Sequence, residues 1–177
     1  MTPQDRRDLA GHRGRPPAIA WPGGRRLALS VVVNVEEGAE LSIGDGDERN
    51  EGVYEAVEEV IGAPDPCLES HYGYGTRAGW RRIRRVLRER GVAATLNACG
   101  RALLRSSWIA EEAVADGHEI MAHGYRWERH AGLEEARERR VIADTVEAIA
   151  RAAGTPPVGW HTRSASTPAT RRLLVEH

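Results

Sequence analysis

Short runs of apolar and β-branched residues alternate along the chain with longer segments in which apolar positions recur every three or four residues. The apolar runs cover 27–33, 92–97 and 118–121, with 158–160 as a fourth. Such near-continuous apolar runs are typical of strands buried on both faces of a parallel sheet. The helical segments cover 77–90, 107–116 and 133–153, and a last one begins at Thr167-Pro168. This alternation predicts an α/β fold with parallel strands.

Capping residues mark the ends of the predicted helices. Gly91, Gly117 and Gly154 follow the first three segments, where a glycine is favoured because it adopts the left-handed conformation that ends a helix. Ser107 is a predicted N-cap, and Thr167-Pro168 combines a cap residue with a proline at the first helical position. The apolar stripe of the 133–153 helix comprises Val141, Ile142, Thr145, Val146 and Ile149.

The length of 177 residues predicts one domain with a hydrophobic core. Residues 1–20 are polar and rich in Arg, Gly and Pro, so we expect a flexible N-terminal arm and a domain that covers 21–177. Residues 39–70 are acidic and Gly-rich without a clear period. We expect a long functional loop there with one short helix.

The charge balance predicts neither a nucleic-acid nor a membrane partner, because the chain has 25 basic and 26 acidic residues and a net charge of -1. Six arginines between 81 and 90 lie opposite the apolar side of one predicted helix and indicate a solvated face. No apolar run approaches membrane-spanning length. Formation of a homo-oligomer is left open.

The two cysteines, Cys67 and Cys99, lack the spacing of a Cys-rich zinc site or of a disulfide framework. The N-terminal segment has paired arginines but no apolar region of a secretory signal. We therefore expect a cytoplasmic protein.

Polar clusters follow three of the predicted strands, at 34–38, 123–127 and 161–163. In parallel α/β folds the active site forms at this edge of the sheet. A zinc-protease motif is excluded because His118 and His123 are five residues apart on a predicted strand and point to opposite faces. We expect His118 to be structural, and His12 and His130 to lie at the surface.

Four motifs resemble those of one known family. They are E-E-G at 36–38, H-Y-G-Y-G-T-R-A-G-W at 71–80, H-G-Y-R-W at 123–127 and G-W-H-T-R at 159–163. Together they resemble the polysaccharide deacetylases of the NodB homology type, and within them the metal-independent allantoinases. The resemblance covers roughly 21–177 and implies a distorted (β/α) barrel that hydrolyses C–N bonds other than peptide bonds. With about four strands placed, we expect this barrel to be incomplete at the C-terminus.

The same resemblance argues against a metal cofactor. The family carries an Asp-Asp pair where this chain has Glu36 and Glu37, and a second metal-binding histidine where it has Trp127. An indole cannot coordinate a divalent cation. At most Glu37 and His123 remain as ligands, whereas catalytic zinc sites have three protein ligands. We expect no metal, and a divalent ion such as zinc on Glu37 and His123 is the weaker alternative.

The resemblance also implies roles for the side chains of the site. Either Glu36 or Glu37 is the general base while the other stays neutral or orients the substrate, and His123 and Arg126 supply hydrogen-bond donors. We expect Trp127 and Trp160 to contact the substrate as apolar walls, and Tyr72 and Arg77 to contact it at the mouth of the site. His161 and Arg163 are also expected to contact the substrate, and one of these two residues orients the base.

The expected substrate is a small ureide or cyclic amide. The runner-up keeps the fold and removes acetyl groups from N-acetylated polysaccharides or chitooligosaccharides. A third alternative of a different class is a binding protein or inactive fragment with the same fold.

Overall fold

The computed structural model describes residues 11–53 and 58–177, and divides the chain into two compact units, 1–30 and 31–177. In the first unit, the described residues are exposed and form one 3₁₀ turn at Pro22–Gly24. Residues 1–10 of the predicted arm lie outside the described residues. The two units meet at residues 30 and 31, ten positions later than the predicted boundary between residues 20 and 21.

The second unit contains three strands and six α-helices among its described residues. The strands are β1 (Val32–Val35), β2 (Thr95–Ala98) and β3 (Glu119–Ala122). The helices are α1 (Pro66–Tyr74), α2 (Trp80–Arg90), α3 (Gly100–Arg105), α4 (Ser107–Ala115), α5 (Glu135–Ala153) and α6 (Thr170–Val175). Within the described ranges, no helix is both long enough and apolar enough to cross a membrane.

The strands form a parallel sheet in the order β1-β2-β3, which confirms the predicted α/β class. The register pairs Val35 with Ala98 and Ala98 with Ala122, so the three strands end level with one another. The predicted fourth strand is a single parallel bridge between Ala122 and Trp160. In the described part of the chain the sheet is therefore open and does not close into a barrel.

The first strand begins later in the sequence than predicted, at Val32 and not at Leu27. Leu27 and Leu29 are 76% and 84% exposed, and the strand begins only at Val32. The apolar run indicated a strand but not its pairing register, which is set by the hydrogen bonds to β2. The first half of the predicted strand is therefore wrong.

Several helix ends also differ from their predictions. Trp80 begins α2, and a π-helical segment, Gly75–Gly79, joins it to α1; Gly91 ends α2 in the left-handed conformation, as predicted. Ser106, and not Ser107, is the N-cap of α4. Helix α6 starts at Thr170 and not directly after Thr167. The Thr167 hydroxyl accepts a hydrogen bond from the Ala169 amide in the turn that precedes the helix.

Helix α3 was not predicted from the sequence, and it packs closely against α5. A Cβ atom at Gly100 would lie 3.0 Å from the Cβ atom of Ala148 and 3.3 Å from the Cα atom of Thr145. Glycine is thus favoured at this contact, because a larger residue would push α3 and α5 apart by a few tenths of an ångström. On α5 the predicted stripe is confirmed: Val141, Ile142, Thr145 and Ile149 are buried, and Val146 is half-buried.

A buried ionic cluster ties α5 to α6. The Glu138 carboxylate contacts the Nδ1 atom of His130 at 2.9 Å and accepts hydrogen bonds from the hydroxyls of Thr167 and Thr170. His130 is 1% exposed, so its predicted surface position is wrong. Burial alone would raise the pKa of Glu138, but the bonds from Thr167, Thr170 and His130 outweigh it and lower that pKa.

Replacing Glu138 with Gln should destabilise the fold by about 1–3 kcal/mol, because the new amide group faces donors that need an acceptor. Since the folded-state pKa of Glu138 is lowered, its contribution is present at neutral pH and lost as the pH falls below the ordinary value of about 4.3. Urea unfolding at pH 7 and pH 4 measures both effects. The control is Glu147→Gln, an exposed position on the same helix. Equal stability of the two variants at pH 7 would contradict the assignment.

Candidate active site

The polar residues that follow the strands converge at the carboxyl edge of the sheet. Glu36 and Glu37 follow β1, Cys99 follows β2 and His123 follows β3, while His161 follows the bridge at Trp160. The level strand ends bring these side chains together although up to 125 positions separate them in the sequence, from 36 to 161. Parallel pairing therefore builds the site.

Glu36 and His123 form a direct pair at the centre of this edge. The Nε2 atom of His123 lies 3.1 Å from the Oε1 atom of Glu36, and its Nδ1 atom lies 2.6 Å from the backbone oxygen of His161. A carbonyl oxygen only accepts, so Nδ1 carries a proton. Nε2 and Oε1 are within hydrogen-bond distance, and a bond between them requires a proton on one of the two atoms. The His123 ring is therefore held on both sides, by Glu36 and by the His161 carbonyl.

An asparagine chain holds His161 against this pair. The Asn97 amide nitrogen lies 3.1 Å from the Asn34 side-chain oxygen and 3.2 Å from the Nδ1 atom of His161. Because the amide donates, His161 accepts at Nδ1 and carries its proton on Nε2. The His161 ring stacks on the His123 ring with centroids 5.1 Å apart, and His161 is exposed. Its Nε2–H group is therefore available at the mouth of the site.

Glu37 is half-buried, like Glu36, but has different neighbours. Burial raises the pKa of Glu37, partly offset by hydrogen bonds from backbone amides that include the Glu36 amide at 3.1 Å. Its carboxylate lies directly against Gly75 of the π-helical segment, where any Cβ atom would overlap it. Gly75 is thus required for Glu37 to occupy this position. The two adjacent glutamates have different environments, as two different roles require.

Arg163 is stacked on Trp127. The guanidinium carbon lies 3.5 Å from the centroid of the Trp127 ring, and the guanidinium donates to the Trp127 carbonyl at 2.5 Å and to Glu51 at 3.2 Å. Such cation–π contacts are favourable when they are shielded from water. A fixed positive charge therefore sits beside the indole that replaces the family's second histidine.

Of the residues predicted at the mouth, Tyr72 lines a cleft whereas Arg77 does not join the cluster, and Trp160, predicted as a wall, packs on the core. Tyr72 is buried and lines a cleft of about 470 Å³ together with Glu37 and Glu40. Its hydroxyl has no partner among the described residues, and burial raises its pKa, so it stays a donor. Trp160 packs on the core and donates to Thr162 at 2.9 Å. Arg77 is exposed on the π-helical segment.

Arg126 mainly holds the 39–47 loop. Its guanidinium forms two hydrogen bonds to Asp47, at 2.6 and 2.7 Å, and donates to the carbonyl oxygens of Ala39 and Glu40. The bonds from Arg126 lower the pKa of Asp47 to about 2. Four of the five N–H groups of Arg126 are thereby engaged. Its predicted role as an oxyanion donor stays a prediction and depends on the remaining one.

The side chains of this edge do not fit a divalent metal. Both ring nitrogens of His123 are engaged, Trp127 offers no ligand atom, and the Arg163 cation covers the indole face. Within residues 11–53 and 58–177, no group of three or more His, Cys, Asp or Glu side chains has metal-binding geometry. A tight zinc site needs at least three such ligands. These side chains therefore do not form a tight zinc site.

Four residues of the site were missed in the sequence analysis: Asn34, Asn97, Glu51 and Gly75. Asn34 lies inside a cluster that was noted for its glutamates, and Asn97 ends an apolar strand. A polar residue at the end of a predicted parallel strand, or directly after it, was the available signal for both. Glu51 lies in a loop without periodicity, and nothing in its local sequence indicated burial.

Residues 63–176 match the family model described as polysaccharide deacetylase. A protein of Schizosaccharomyces pombe (strain 972 / ATCC 24843) described as "Putative polysaccharide deacetylase" is 32% identical over 180 residues. This match covers 96% of the chain and 55% of that protein.

Two crystal structures share the fold over 97% of the chain. Puue allantoinase has a TM-score of 0.85 at 36% identity, with 57% of its length covered. A probable polysaccharide deacetylase from Pseudomonas aeruginosa PAO1 has a TM-score of 0.87 at 39% identity, with 58% covered. The chain thus spans little more than half of these relatives, and the predicted NodB-like fold is confirmed. The chain belongs to the polysaccharide deacetylase family.

Proposed function

We propose that the protein hydrolyses a C–N bond of a cyclic amide or ureide, as an allantoinase does, without a metal. The observation that carries this proposal is the contact between Glu36 and His123, which occupies the ring nitrogen that a metal would need. The stacking of Arg163 on Trp127 supports the metal-free proposal, since a fixed cation already lies beside the indole ring. A cytoplasmic location belongs to the same proposal, and the free thiols of Cys67 and Cys99 support it.

In the proposed reaction Glu36 is the general base. Its carboxylate takes one proton from a water molecule while the water oxygen bonds to the carbonyl carbon and the π electrons move to the carbonyl oxygen. Collapse of this tetrahedral oxyanion restores the C=O bond and breaks the C–N bond. The departing nitrogen takes the proton from Glu36, so the products are a carboxylic acid and an N–H group.

Support for Glu36 as the base comes from the different surroundings of the two glutamates. His123 orients Glu36 through the contact at 3.1 Å, whereas burial raises the pKa of Glu37 and favours its neutral form. In the proposed reaction Glu37 orients the substrate, as a hydrogen-bond donor when it is neutral. The proposal thus gives each glutamate one of the two roles that the sequence left open.

The donors for the oxyanion differ in part from those predicted. Both ring nitrogens of His123 are engaged, by Glu36 and by the His161 carbonyl. The Nε2–H group of His161 and the hydroxyl of Tyr72 lack such partners in the described chain and are the proposed donors instead. Donors placed in advance around a developing negative charge are the usual substitute for a Lewis acid.

Substrate assays with and without a chelator test this function against its alternatives. We expect hydrolysis of allantoin that EDTA leaves unchanged, because no step uses a metal. The matched substrate is an N-acetylated chitooligosaccharide. Deacetylation that EDTA abolishes would overturn the proposal in favour of the runner-up, and no turnover of either substrate would favour a binding protein.

Replacing Glu36 with Gln should lower kcat for allantoin by about 10²-fold or more, the usual scale for loss of a general base. The Glu37→Gln variant should lose less, because the amide keeps the shape and the donor capacity of a neutral carboxyl group. Glu147→Gln is the control for a general effect of charge. Steady-state kinetics decides: a larger loss for Glu37→Gln than for Glu36→Gln would reverse the assignment.

A further inference from the structure

A second cavity lies beside the segment that follows β3, and it is separate from the cleft that contains Glu37. It has a volume of about 540 Å³, within the usual range for small-molecule sites. The cavity and the cleft have no lining residue in common, and Glu36, His123 and His161 do not line the cavity. The proposed reaction therefore does not account for it.

Arginine dominates the wall of this cavity. Five of its eleven lining residues are arginines and two are glutamates, so the wall has a net formal charge of +3. The whole chain, by contrast, has a net charge of -1. Like charges that line one concave place repel each other and concentrate anions from solution. The arginines are Arg49, Arg126, Arg129, Arg137 and Arg163.

The two glutamates of the wall are largely withdrawn from solvent. The Glu51 side chain is 4% exposed, and one of its oxygens lies 3.2 Å from Arg163. The Glu128 side chain is 24% exposed, and its nearer oxygen lies 3.8 Å from Arg137, at the outer limit of an ion pair. Arg137 itself is 52% exposed. Solvent and dissolved ions therefore meet the guanidinium groups of this wall more than its carboxylates.

The five arginines fall into a fixed pair and an exposed group. Arg126 and Arg163 are each engaged by an acidic side chain of the loop between β1 and α1. Arg49, Arg129 and Arg137 are exposed, and Arg129 forms no ion pair with a described residue. Exposed guanidinium groups retain paired N–H donors, which fit the oxygens of a phosphoryl or carboxylate group.

We propose that this cavity binds a small dianion whose charges are carried by phosphoryl or carboxylate oxygens. Arg129 and Arg137 bind the anion through paired N–H donors, while Arg126 and Arg163 supply fixed positive charge. A dianion neutralises most of the charge of the wall, whereas a monoanion leaves most of it uncompensated. The site is separate from the catalytic pair, so the inference does not depend on the proposed function.

Diffuse attraction by surface arginines is the competing interpretation. It predicts that any two exposed arginines contribute equally to anion binding, because each contributes only its charge. A built site predicts that the arginines of the cavity contribute more, because they also supply hydrogen-bond donors at one place. Matched pairs of substitutions inside and outside the cavity separate the two interpretations.

The test measures anion binding to the full chain by isothermal titration calorimetry, without substrate, at pH 8 and constant ionic strength. Its probes are inorganic phosphate and malonate, which are both dianions at this pH, and acetate as the monoanion. We expect phosphate, malonate or both to bind about tenfold more tightly than acetate. Binding of phosphate alone assigns the site to phosphoryl ligands, and binding of malonate alone assigns it to carboxylates.

Replacing Arg129 and Arg137 together with Gln should weaken binding of the dianion by about tenfold or more, the usual scale for lost hydrogen bonds to charged groups. The matched control is Arg151→Gln with Arg171→Gln, two exposed positions that do not line the cavity, and it should leave the affinity nearly unchanged. Arg129→Lys with Arg137→Lys keeps the charge but loses the paired donors, so its affinity should fall between these variants.

Three results would overturn the proposal. They are the absence of dianion binding, equal affinity for the dianions and acetate, and equal losses in the cavity pair and the control pair. Urea unfolding of each variant shows whether the fold is retained, and the Lys pair provides the comparison if the Gln pair does not fold. Failure of the proposed hydrolysis appears separately, as absent turnover of allantoin.

Discussion

The contact between the Nε2 atom of His123 and the Oε1 atom of Glu36 is the interaction on which the site depends. It joins the end of β3 to the end of β1 in the sheet, and the His161 carbonyl fixes the opposite side of the imidazole. The contact requires a proton between the imidazole and the carboxylate. In the proposed function this pair takes the place that a metal would have in a deacetylase site.

A second charge arrangement organises the loop between β1 and α1. Arg126 binds Asp47, and Arg163 binds Glu51, so two arginines from the far edge of the sheet hold the loop against Trp127. Buried or half-buried ion pairs of this kind add little net stability but define one geometry. They leave one Glu51 oxygen without a partner in the described chain. The geometry of this loop therefore depends on the two arginines.

The sequence predicted the fold class and the place of the site because both follow from local patterns. Apolar runs indicated strands, the helical stripe on α5 marked its buried face, and Gly91 marked the end of α2. Strand register was not predictable, since the exposed Leu27 and Leu29 look like strand residues in isolation. Likewise, His130 is buried only because Glu138, Thr167 and Thr170 surround it, and these partners lie on other elements.

The candidate site likewise contains residues that the sequence could predict and contacts that it could not. Glu36, Glu37 and His123 follow predicted strands and could be identified by position and by resemblance to a family. The contact of Asn97 with His161 joins residues 64 positions apart, and the contact of Arg163 with Glu51 spans 112 positions. No local pattern encodes such contacts. The tautomer of His161, and hence its role as a donor, depends on one of them.

The hydrogen bonds of the two His123 ring nitrogens test the central claim most directly. Nitrogen-15 NMR of histidine-labelled protein should show a proton on Nδ1 of His123, and Glu36→Gln should shift the Nε2 signal while the Nδ1 signal stays in place. An Nε2 signal that Glu36→Gln leaves unchanged would contradict the contact and the metal-free mechanism built on it.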